Sequence, residues 1–305
     1  TQALAKLPLG EGASLRIRIE GIDERTPHLR VETEGNEAIK IEVARPKIDD
    51  PLSDPLERER LKNLSVVLKE NIWGQDAAIE SLARAVISHR ANPGKRVKPL
   101  SLFLVGSTGV GKTGLGRALS LGLYDSADRA VVISLGDITN EAQFNKVFGS
   151  EPGYIGSEQE RQFEESLRNN PEGGVLIWDE ASNMGGKSKE LKETFFKKFY
   201  NLCDEGRWTS PATGTTYDLS KWVFLFTGND GEELFRGLTA DELLIDRWQK
   251  SHKRDNVRSL LMDNGVPQAF LGRQADCILM KPLVRSEVTS IAGKFLREAL
   301  LPYQK

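Results

Sequence analysis

Cysteine and histidine are scarce in this chain of 305 residues, which holds two cysteines and three histidines. Cys203 and Cys277 lie far apart in the sequence, and neither has a partner at the short spacing typical of zinc sites. Isolated thiols of this kind favour reduced packing residues over a disulfide or a metal centre. The histidines are also scattered, so the sequence offers no evident metal or catalytic group built on them.

Long apolar runs and a large net charge are missing too. No stretch reaches the length needed to cross a bilayer, and the beginning of the sequence shows no signal peptide. The 42 basic residues nearly cancel the 44 acidic residues, so overall charge gives no attraction to nucleic acid or to a membrane surface. We therefore expect a cytoplasmic protein without a membrane partner, and we favour no nucleic-acid partner.

What the chain does contain is a glycine-rich loop, G-x-x-x-x-G-K-T, at residues 106–113. An apolar run precedes the loop and an amphipathic helical pattern follows it, as a phosphate-binding loop requires. Its glycines let backbone N–H groups point at phosphate oxygens, and the helix adds its positive end. Lys112 would bind the β- and γ-phosphates, and the Thr113 hydroxyl would ligate Mg²⁺. The predicted nucleotide-binding residues here are Gly106, Ser107, Thr108, Gly109, Val110, Gly111, Lys112, Thr113 and Gly114.

Short apolar runs alternate with helical patterns from residue 100 onward. This alternation predicts an α/β fold, with a parallel sheet flanked by helices. The runs lie at residues 100–105, 130–133, 174–178, 222–226 and 276–280. Upstream, residues 14–44 alternate apolar and polar side chains like a small antiparallel sheet. We expect a small β-rich element at 1–50, followed by a linker and helix at 51–70.

Polar side chains follow two of these apolar runs. Asp179 and Glu180 end one of them, and ligands of open α/β sheets bind at the carboxyl ends of strands. Asp179 could bind Mg²⁺ there, and Glu180 could activate an attacking water. Asn229 ends another run, where its amide could bond the γ-phosphate or the water. Gly-Asn is equally an ordinary exit from a strand, so the residues alone leave both interpretations open.

Residues 149–156 contain an aromatic side chain between glycines, which suits either a surface turn or a grip on an extended polymer. With this segment the chain resembles the Clp family of AAA+ ATPases, in particular their second ATPase module, from about Asn71 to Leu283. Ile72 begins a stretch that resembles the I-G-Q motif bordering the adenine pocket. Residues 227–229 resemble sensor-1, and residues 270–273 resemble F-L-N-R. The segment that resembles the P-G-Y-V-G pore loop includes Gly153, Tyr154, Ile155 and Gly156.

The resemblance implies an AAA+ large ATPase subdomain at 71–283 and the beginning of an incomplete helical lid at 284–305. It also implies ATP or ADP with Mg²⁺ as ligands, and a homo-oligomer that forms a ring of six subunits. Glu180, Asn229 and Arg273 would be the catalytic residues. Arg273 would reach the nucleotide of the neighbouring subunit, with Arg247, Arg254 and Arg258 as alternatives. Tyr154 would push a polypeptide substrate, delivered in some cases by an adaptor, so the implied function is unfolding, remodelling or disaggregation of proteins by threading.

The sequence departs from the family in three places. Only one lid helix fits before Lys305, without the G-A-R motif. The family's D-E-I-E-K-A is replaced after Glu180 by A-S-N-M and the pair Gly185-Gly186, an unusually flexible beginning for a helix. The tripeptide that docks a protease is not recognisable, so no protease partner is supported. These departures keep open an ATP-dependent scaffold or switch that recruits partners without threading. A nucleic-acid translocase is disfavoured because no basic stripe is present.

Overall fold

A computed structural model describes residues 15–23, 26–33, 38–41, 54–92, 94, 97–148, 162–186, 188–244, 254–273 and 276–300. The chain separates into two compact units, Thr1–Asp50 and Pro51–Lys305. The boundary between them falls beside Pro51, in the stretch predicted to be a linker. The finer limits proposed at 71–283 and 284–305 stay predictions.

The first unit contains a small antiparallel sheet in the order β1-β2-β3. Its strands are β1 (Leu15–Asp23), β2 (Thr26–Thr33) and β3 (Ala38–Ile41). Strands β1 and β2 pair throughout their length, with one irregularity between Ile19 and Gly21. This sheet lies within residues 1–50, where the sequence predicts a small β-rich element.

The second unit is organised around a five-stranded sheet with the order β10-β4-β9-β6-β5. Every neighbouring pair in this sheet is parallel. The strands are β4 (Leu100–Val105), β5 (Ala130–Ser134), β6 (Val175–Asp179), β9 (Val223–Gly228) and β10 (Asp276–Leu279). The predicted α/β fold with a parallel sheet is confirmed, and each apolar run in the sequence corresponds to one strand.

Helices cover both faces of this sheet, because alternate strand residues are apolar on each side. Leu102, Ile177 and Leu225 pack against the first three helices, whereas Phe103, Trp178 and Phe226 pack against the later ones. The helices are α1 (Pro55–Asn71), α2 (Asp76–Ala91), α3 (Lys112–Tyr124), α4 (Glu141–Phe148), α5 (Gln162–Asn169), α6 (Lys189–Glu205), α7 (Ala240–Leu244), α8 (Arg254–Asp263), α9 (Gln268–Arg273) and α10 (Arg285–Leu300). Two burial layers of this kind explain why the strands are apolar throughout rather than alternating.

A short antiparallel hairpin follows α6 and was not predicted. Its strands are β7 (Arg207–Thr209) and β8 (Thr216–Asp218). Glu164 of α5 is buried and accepts hydrogen bonds from three hydroxyl groups of this hairpin and its turn. The donors are Ser210 Oγ at 2.6 Å, Thr213 Oγ1 at 2.7 Å and Tyr217 Oη at 3.2 Å. The hairpin is thus held to α5 by the buried Glu164 carboxylate and by an edge contact between the rings of Phe163 and Trp208, whose centroids lie 4.9 Å apart.

The sheet order determines what meets at its carboxyl edge. Strand β4 leads into the glycine-rich loop, β6 ends at Asp179, and β9 leads into Asn229. Because β9 lies between β4 and β6, the residues that follow it are flanked by the other two loops. One edge of the sheet therefore gathers the polar residues singled out in the sequence.

Candidate active site

The glycine-rich loop connects β4 to α3 and has the backbone conformation that its sequence predicts. Gly109 and Gly111 have φ values of 83° and 102°, a region that favours glycine. A Cβ atom built on either residue would meet no atom within 4 Å, so the concave side of the loop is open. Gly106 is confined instead, because a Cβ there would lie 2.6 Å from the Met280 carbonyl oxygen. The loop therefore forms a cradle in front of the first turn of α3, the arrangement that suits a phosphate.

Lys112 is the buried cation of this cradle. Its Nζ donates to the carbonyl oxygens of Gly106 at 2.7 Å and Ser107 at 2.9 Å, and to Asn229 Oδ1 at 2.9 Å. Burial lowers the pKa of Lys112, and the carboxylates of Asp179, Asp230 and Glu180 oppose that shift. Because the three hydrogen-bond acceptors of Lys112 Nζ are neutral oxygens, its positive charge remains available to attract an anionic ligand.

Asp179 and Glu180 are positioned through the hydroxyl group of Thr227 on the neighbouring strand. Thr227 Oγ1 donates to Asp179 Oδ1 at 2.6 Å and accepts from the Glu180 backbone N–H at 2.9 Å. Glu180 has a φ of 56°, which is unusual for a residue with a side chain. A side chain at Gly136 would collide with the Glu180 carboxylate, so glycine is needed there to leave it space.

Asn229 connects the two charged groups. Its Oδ1 accepts from Lys112 Nζ at 2.9 Å, and its Nδ2 donates to Glu180 Oε1 at 3.2 Å. An asparagine can satisfy a cation and a carboxylate simultaneously because its amide has an acceptor and a donor end. The loop lysine, the strand-end amide and the strand-end carboxylate thus form one continuous hydrogen-bonded chain.

Thr113 and Asp179, the predicted magnesium ligands, lie at adjacent parts of the same edge. Thr113 is half-buried in the first turn of α3, directly after Lys112. Across the residues that the structure describes, no three carboxylate, imidazole or thiol groups cluster as a metal cage. One hydroxyl and one carboxylate fit Mg²⁺ all the same, because this ion usually completes its shell with phosphates and water.

A pocket of about 450 Å³ adjoins the loop, a volume that suits a ligand of nucleoside size. Ile72 and Gly114 line it, and a Cβ on Gly114 would lie 3.3 Å from Ile72 Cδ1. Helix α10 supplies Ile291 and Phe295 to the opposite wall. Ile72 is the residue that the sequence predicts beside the adenine, and this role stays a prediction. The contribution of α10 was not predicted, because this segment shows in the sequence only as another amphipathic helix.

Gln75 is a second residue whose role the sequence reasoning did not specify. Its buried amide donates to the carbonyl oxygens of Val110 at 3.3 Å and Lys281 at 2.8 Å, and accepts from the Lys281 N–H at 3.1 Å. Lys281 Nζ also contacts both carboxylate oxygens of Glu287 at 2.8 Å. These bonds connect the glycine-rich loop to the exit of β10 and the beginning of α10.

Two predicted functional groups lie partly or wholly outside the residues that the structure describes. Gly153, Tyr154, Ile155 and Gly156 lie outside the described residues. Arg273 is the last residue of α9, and only its backbone position is described. Arg258, one of its alternatives, donates from Nη2 to the Leu271 carbonyl oxygen at 2.9 Å, so it already has a structural partner within this segment.

Comparison with known proteins identifies the family. Residues 98–276 match the model of the AAA domain (Cdc48 subfamily). The chaperone protein ClpB of Clostridium tetani is 32% identical over 244 residues, covering 79% of this chain and 26% of that protein. ClpB of Bacillus cereus is 29% identical over 306 residues, covering 96% and 33%. The chain belongs to the Clp family of AAA+ ATPases.

As a Clp-family AAA+ ATPase, the chain belongs to a class of enzymes that bind nucleotide, generally with Mg²⁺. It spans about a quarter to a third of the length of the curated relatives that it matches. Among the described residues, no helix is both long enough and apolar enough to cross a membrane. The family assignment confirms the resemblance drawn from the motifs, and the roles of individual site residues stay predictions.

Proposed function

We propose that this chain is an ATP-hydrolysing motor domain of a Clp-type machine that remodels proteins. The observation that carries the proposal is the hydrogen-bonded chain from Lys112 through Asn229 to Glu180. It places a phosphate-binding cation and a candidate general base at the two ends of one amide, so both groups can face the same bound nucleoside triphosphate. The ClpB chaperones among its relatives support the remodelling part of the proposal.

In this proposal the side chains have separate tasks. Backbone N–H groups of the glycine-rich loop and Lys112 bind the phosphates, while Ile72 borders the base. Mg²⁺, bound by Thr113 and Asp179, would neutralise charge on the phosphates. Glu180 orients the attacking water and accepts its proton. Asn229 keeps Glu180 at a fixed distance from Lys112, so the carboxylate does not close onto the ammonium group.

The oligomeric part of the proposal rests on the family resemblance. We propose a homo-oligomeric ring, hexameric as is usual in the family, in which Arg273 stabilises charge on the nucleotide of the next subunit. Tyr154 would contact the polypeptide substrate within the ring. A cytoplasmic location is part of the same proposal.

A substitution at Glu180 tests the hydrolytic site. Glu180→Gln retains the size of the side chain but cannot accept a proton, so turnover of ATP should fall about a hundredfold or more. Binding of a fluorescent ATP analogue should stay within about twofold of the unmodified chain, because the phosphate cradle is unchanged. Glu190→Gln, which changes an exposed carboxylate on α6, is the matched control. Turnover unaffected by Glu180→Gln would refute the assignment.

A second measurement separates threading from recruitment. If the chain moves polypeptides, an unfolded protein should stimulate its ATPase activity, and Tyr154→Ala should abolish that stimulation while preserving basal turnover. Stimulation by a folded partner that is indifferent to Tyr154→Ala would instead support a scaffold or switch.

A further inference from the structure

Another buried lysine, Lys192, lies on α6. Lys192 is 8% exposed, and its Nζ donates to the carbonyl oxygens of Ser182 at 2.8 Å and Asn264 at 2.6 Å. Burial lowers the pKa of Lys192, and the carboxylate of Asp230 opposes that shift. A cation is costly to bury and is strongly attracted to carbonyl oxygens, so it forces the two loops that supply them to stay together.

Two glycines form the slot that receives this lysine. Gly185 has a φ of 80°, and a Cβ there would lie 2.9 Å from the Lys192 backbone nitrogen and 3.0 Å from its Cγ. Gly265 has a φ of 89°, and a Cβ there would lie 3.0 Å from Lys192 Cδ. Gly185 therefore contributes to this slot, although the sequence suggested that the pair Gly185-Gly186 is a flexible beginning of a helix. The two N–H groups of this pair donate to Ile138 O at 2.7 Å and Asn183 O at 3.0 Å.

One of the two loops is the direct continuation of Glu180. Ser182 lies in the turn that follows Glu180, and the Asn183 N–H donates to the Glu180 carbonyl oxygen at 2.9 Å. Glu180 itself has a left-handed backbone conformation that persists only where its surroundings impose it. By fixing the Ser182 carbonyl, Lys192 supports the turn that keeps the Glu180 carboxylate directed at Asn229.

The other loop is the turn between α8 and α9. Asn264 Nδ2 donates to Asp230 Oδ1 at 2.6 Å, and Asp230 directly follows Asn229. One turn along α6 from Lys192, the Phe196 ring lies 4.9 Å from the ring of Phe270 in α9. Helix α6 therefore contacts the segment from Asn264 to Arg273 at two places, the Asn264 carbonyl oxygen and the Phe270 ring.

We infer that Lys192 is a positioning residue for ATP hydrolysis, which locks the turn after Glu180 and the turn before α9 into one arrangement. The hydrogen bonds of Lys192 Nζ go to Ser182 and Asn264, which follow Glu180 and Asn229 in the sequence and are not part of the glycine-rich loop. Lys192 should therefore affect the rate of the chemical step rather than the affinity for nucleotide. This inference rests on the proposed ATPase function and names a residue that controls it.

The test is Lys192→Met in the full chain, which retains most of the apolar stem and removes the ammonium group. We expect kcat for ATP to fall about tenfold to a hundredfold, because small displacements of a catalytic carboxylate have effects of that size. The dissociation constant of a fluorescent ATP analogue should change by less than about twofold. Lys197→Met is the matched control, since Lys197 lies on the same helix, its side chain is 74% exposed, and its Nζ pairs with the exposed Glu193 carboxylate.

A purely structural role would reduce the apparent kcat and the number of nucleotide-binding sites together, in proportion to the loss of folded protein. If Lys192→Met does not fold, Asn264→Ala replaces it, because Asn264 is exposed and its substitution removes only the bond to Asp230. That variant should lower kcat severalfold without changing nucleotide affinity. A chain that hydrolyses ATP equally well with and without these substitutions would overturn this inference alone. A chain that hydrolyses no ATP before any substitution would overturn the proposed function as well.

Discussion

At the scale of single residues, the backbone of Glu180 is the clearest sign of a site under constraint. A non-glycine residue with a φ of 56° costs about 1–3 kcal/mol relative to an ordinary conformation. The hydrogen bond from the Glu180 N–H to Thr227 Oγ1 offsets part of that cost, and the turn that follows offsets more. The strained conformation directs the Glu180 carboxylate toward Asn229, so a backbone conformation that lowers the stability of the fold occurs at the candidate catalytic residue.

Cys203 permits a prediction about pH. The residue is fully buried, Ser101 Oγ donates to its Sγ at 3.1 Å, and burial raises its pKa to about 12 from a usual value of 9.0. Only the thiolate reacts rapidly with alkylating reagents, so the native Cys203 should be inert at pH 8. In a Cys277→Ser chain, iodoacetamide should label Cys203 at least about a hundredfold more slowly than in the urea-unfolded chain.

The same shift predicts the direction of a stability change. Between pH 9 and about 12 the folded chain retains the Cys203 proton while the unfolded chain loses it, so this thiol's contribution to stability should decrease as pH rises. A Cys203→Ala chain should lack that part of the decrease in urea unfolding. Equal labelling rates in native and unfolded chains would contradict the burial of Cys203.

Residue chemistry alone could not decide the role of Asn229. The Gly-Asn pair is typical of a strand exit, and the sequence does not reveal which loops will flank it. The strand order places β9 between β4 and β6, and only then does the amide reach both Lys112 and Glu180. Thr227 and Gln75 escaped notice as bonding residues for the same reason, because their partners belong to distant segments.

At the scale of elements, local pattern predicted most of the architecture. The apolar runs correspond to strands, and the helices expected within 51–70 and 284–305 are found at Pro55–Asn71 and Arg285–Leu300. Periodicity suffices there because each element buries a whole face or stripe. The hairpin of β7 and β8 was missed, since strands of three residues with mostly exposed side chains have no periodic signal.

That hairpin depends on Glu164, which is 1% exposed and accepts from three hydroxyl groups. Glu164→Ala would remove the shared acceptor of the buried Ser210, the half-buried Tyr217 and the exposed Thr213, and should lower the free energy of unfolding by about 1–3 kcal/mol. The measurement is urea unfolding followed by tryptophan fluorescence, because Trp208 of the hairpin stacks on Tyr217 with ring centroids 5.9 Å apart.

Glu165→Ala is the control for this prediction, because Glu165 is the exposed neighbour on the same helix. It should change the free energy of unfolding by no more than about 0.5 kcal/mol. Equal effects of the two substitutions would show that the three hydroxyl contacts do not stabilise the hairpin. Since α5 follows the predicted pore loop in sequence, Glu164→Ala should also weaken any stimulation by unfolded polypeptide.

At the scale of the whole molecule, a single chain cannot display a site that two subunits complete. Arg273 ends α9, and the family resemblance predicts that it reaches the nucleotide of a neighbour. In a ring with head-to-tail interfaces, each nucleotide site would combine Lys112 and Glu180 of one subunit with Arg273 of the next. If two subunits share each site in this way, the fraction of ATPase activity recovered in a mixture of two inactive variants can be predicted.

Arg273→Ala and Glu180→Gln chains should each be inactive alone, because every site in either homo-oligomer lacks one group. When they assemble together in equal amounts, an Arg273→Ala subunit retains Glu180 and receives Arg273 from a Glu180→Gln neighbour. About a quarter of the interfaces are then complete, and ATPase activity should recover to about that fraction of the unmodified level. Native mass spectrometry would confirm that mixed oligomers are present.

The control mixes Arg273→Ala chains with chains that carry both substitutions. No interface in that mixture combines Glu180 with Arg273, so turnover should stay at the level of the separate variants. If Arg273 acted on the nucleotide of its own subunit, neither mixture would recover activity. Every chain in either mixture lacks Glu180, Arg273 or both, so no active site would be complete. Recovery in the first mixture and not in the second would therefore require that the catalytic arginine crosses a subunit boundary.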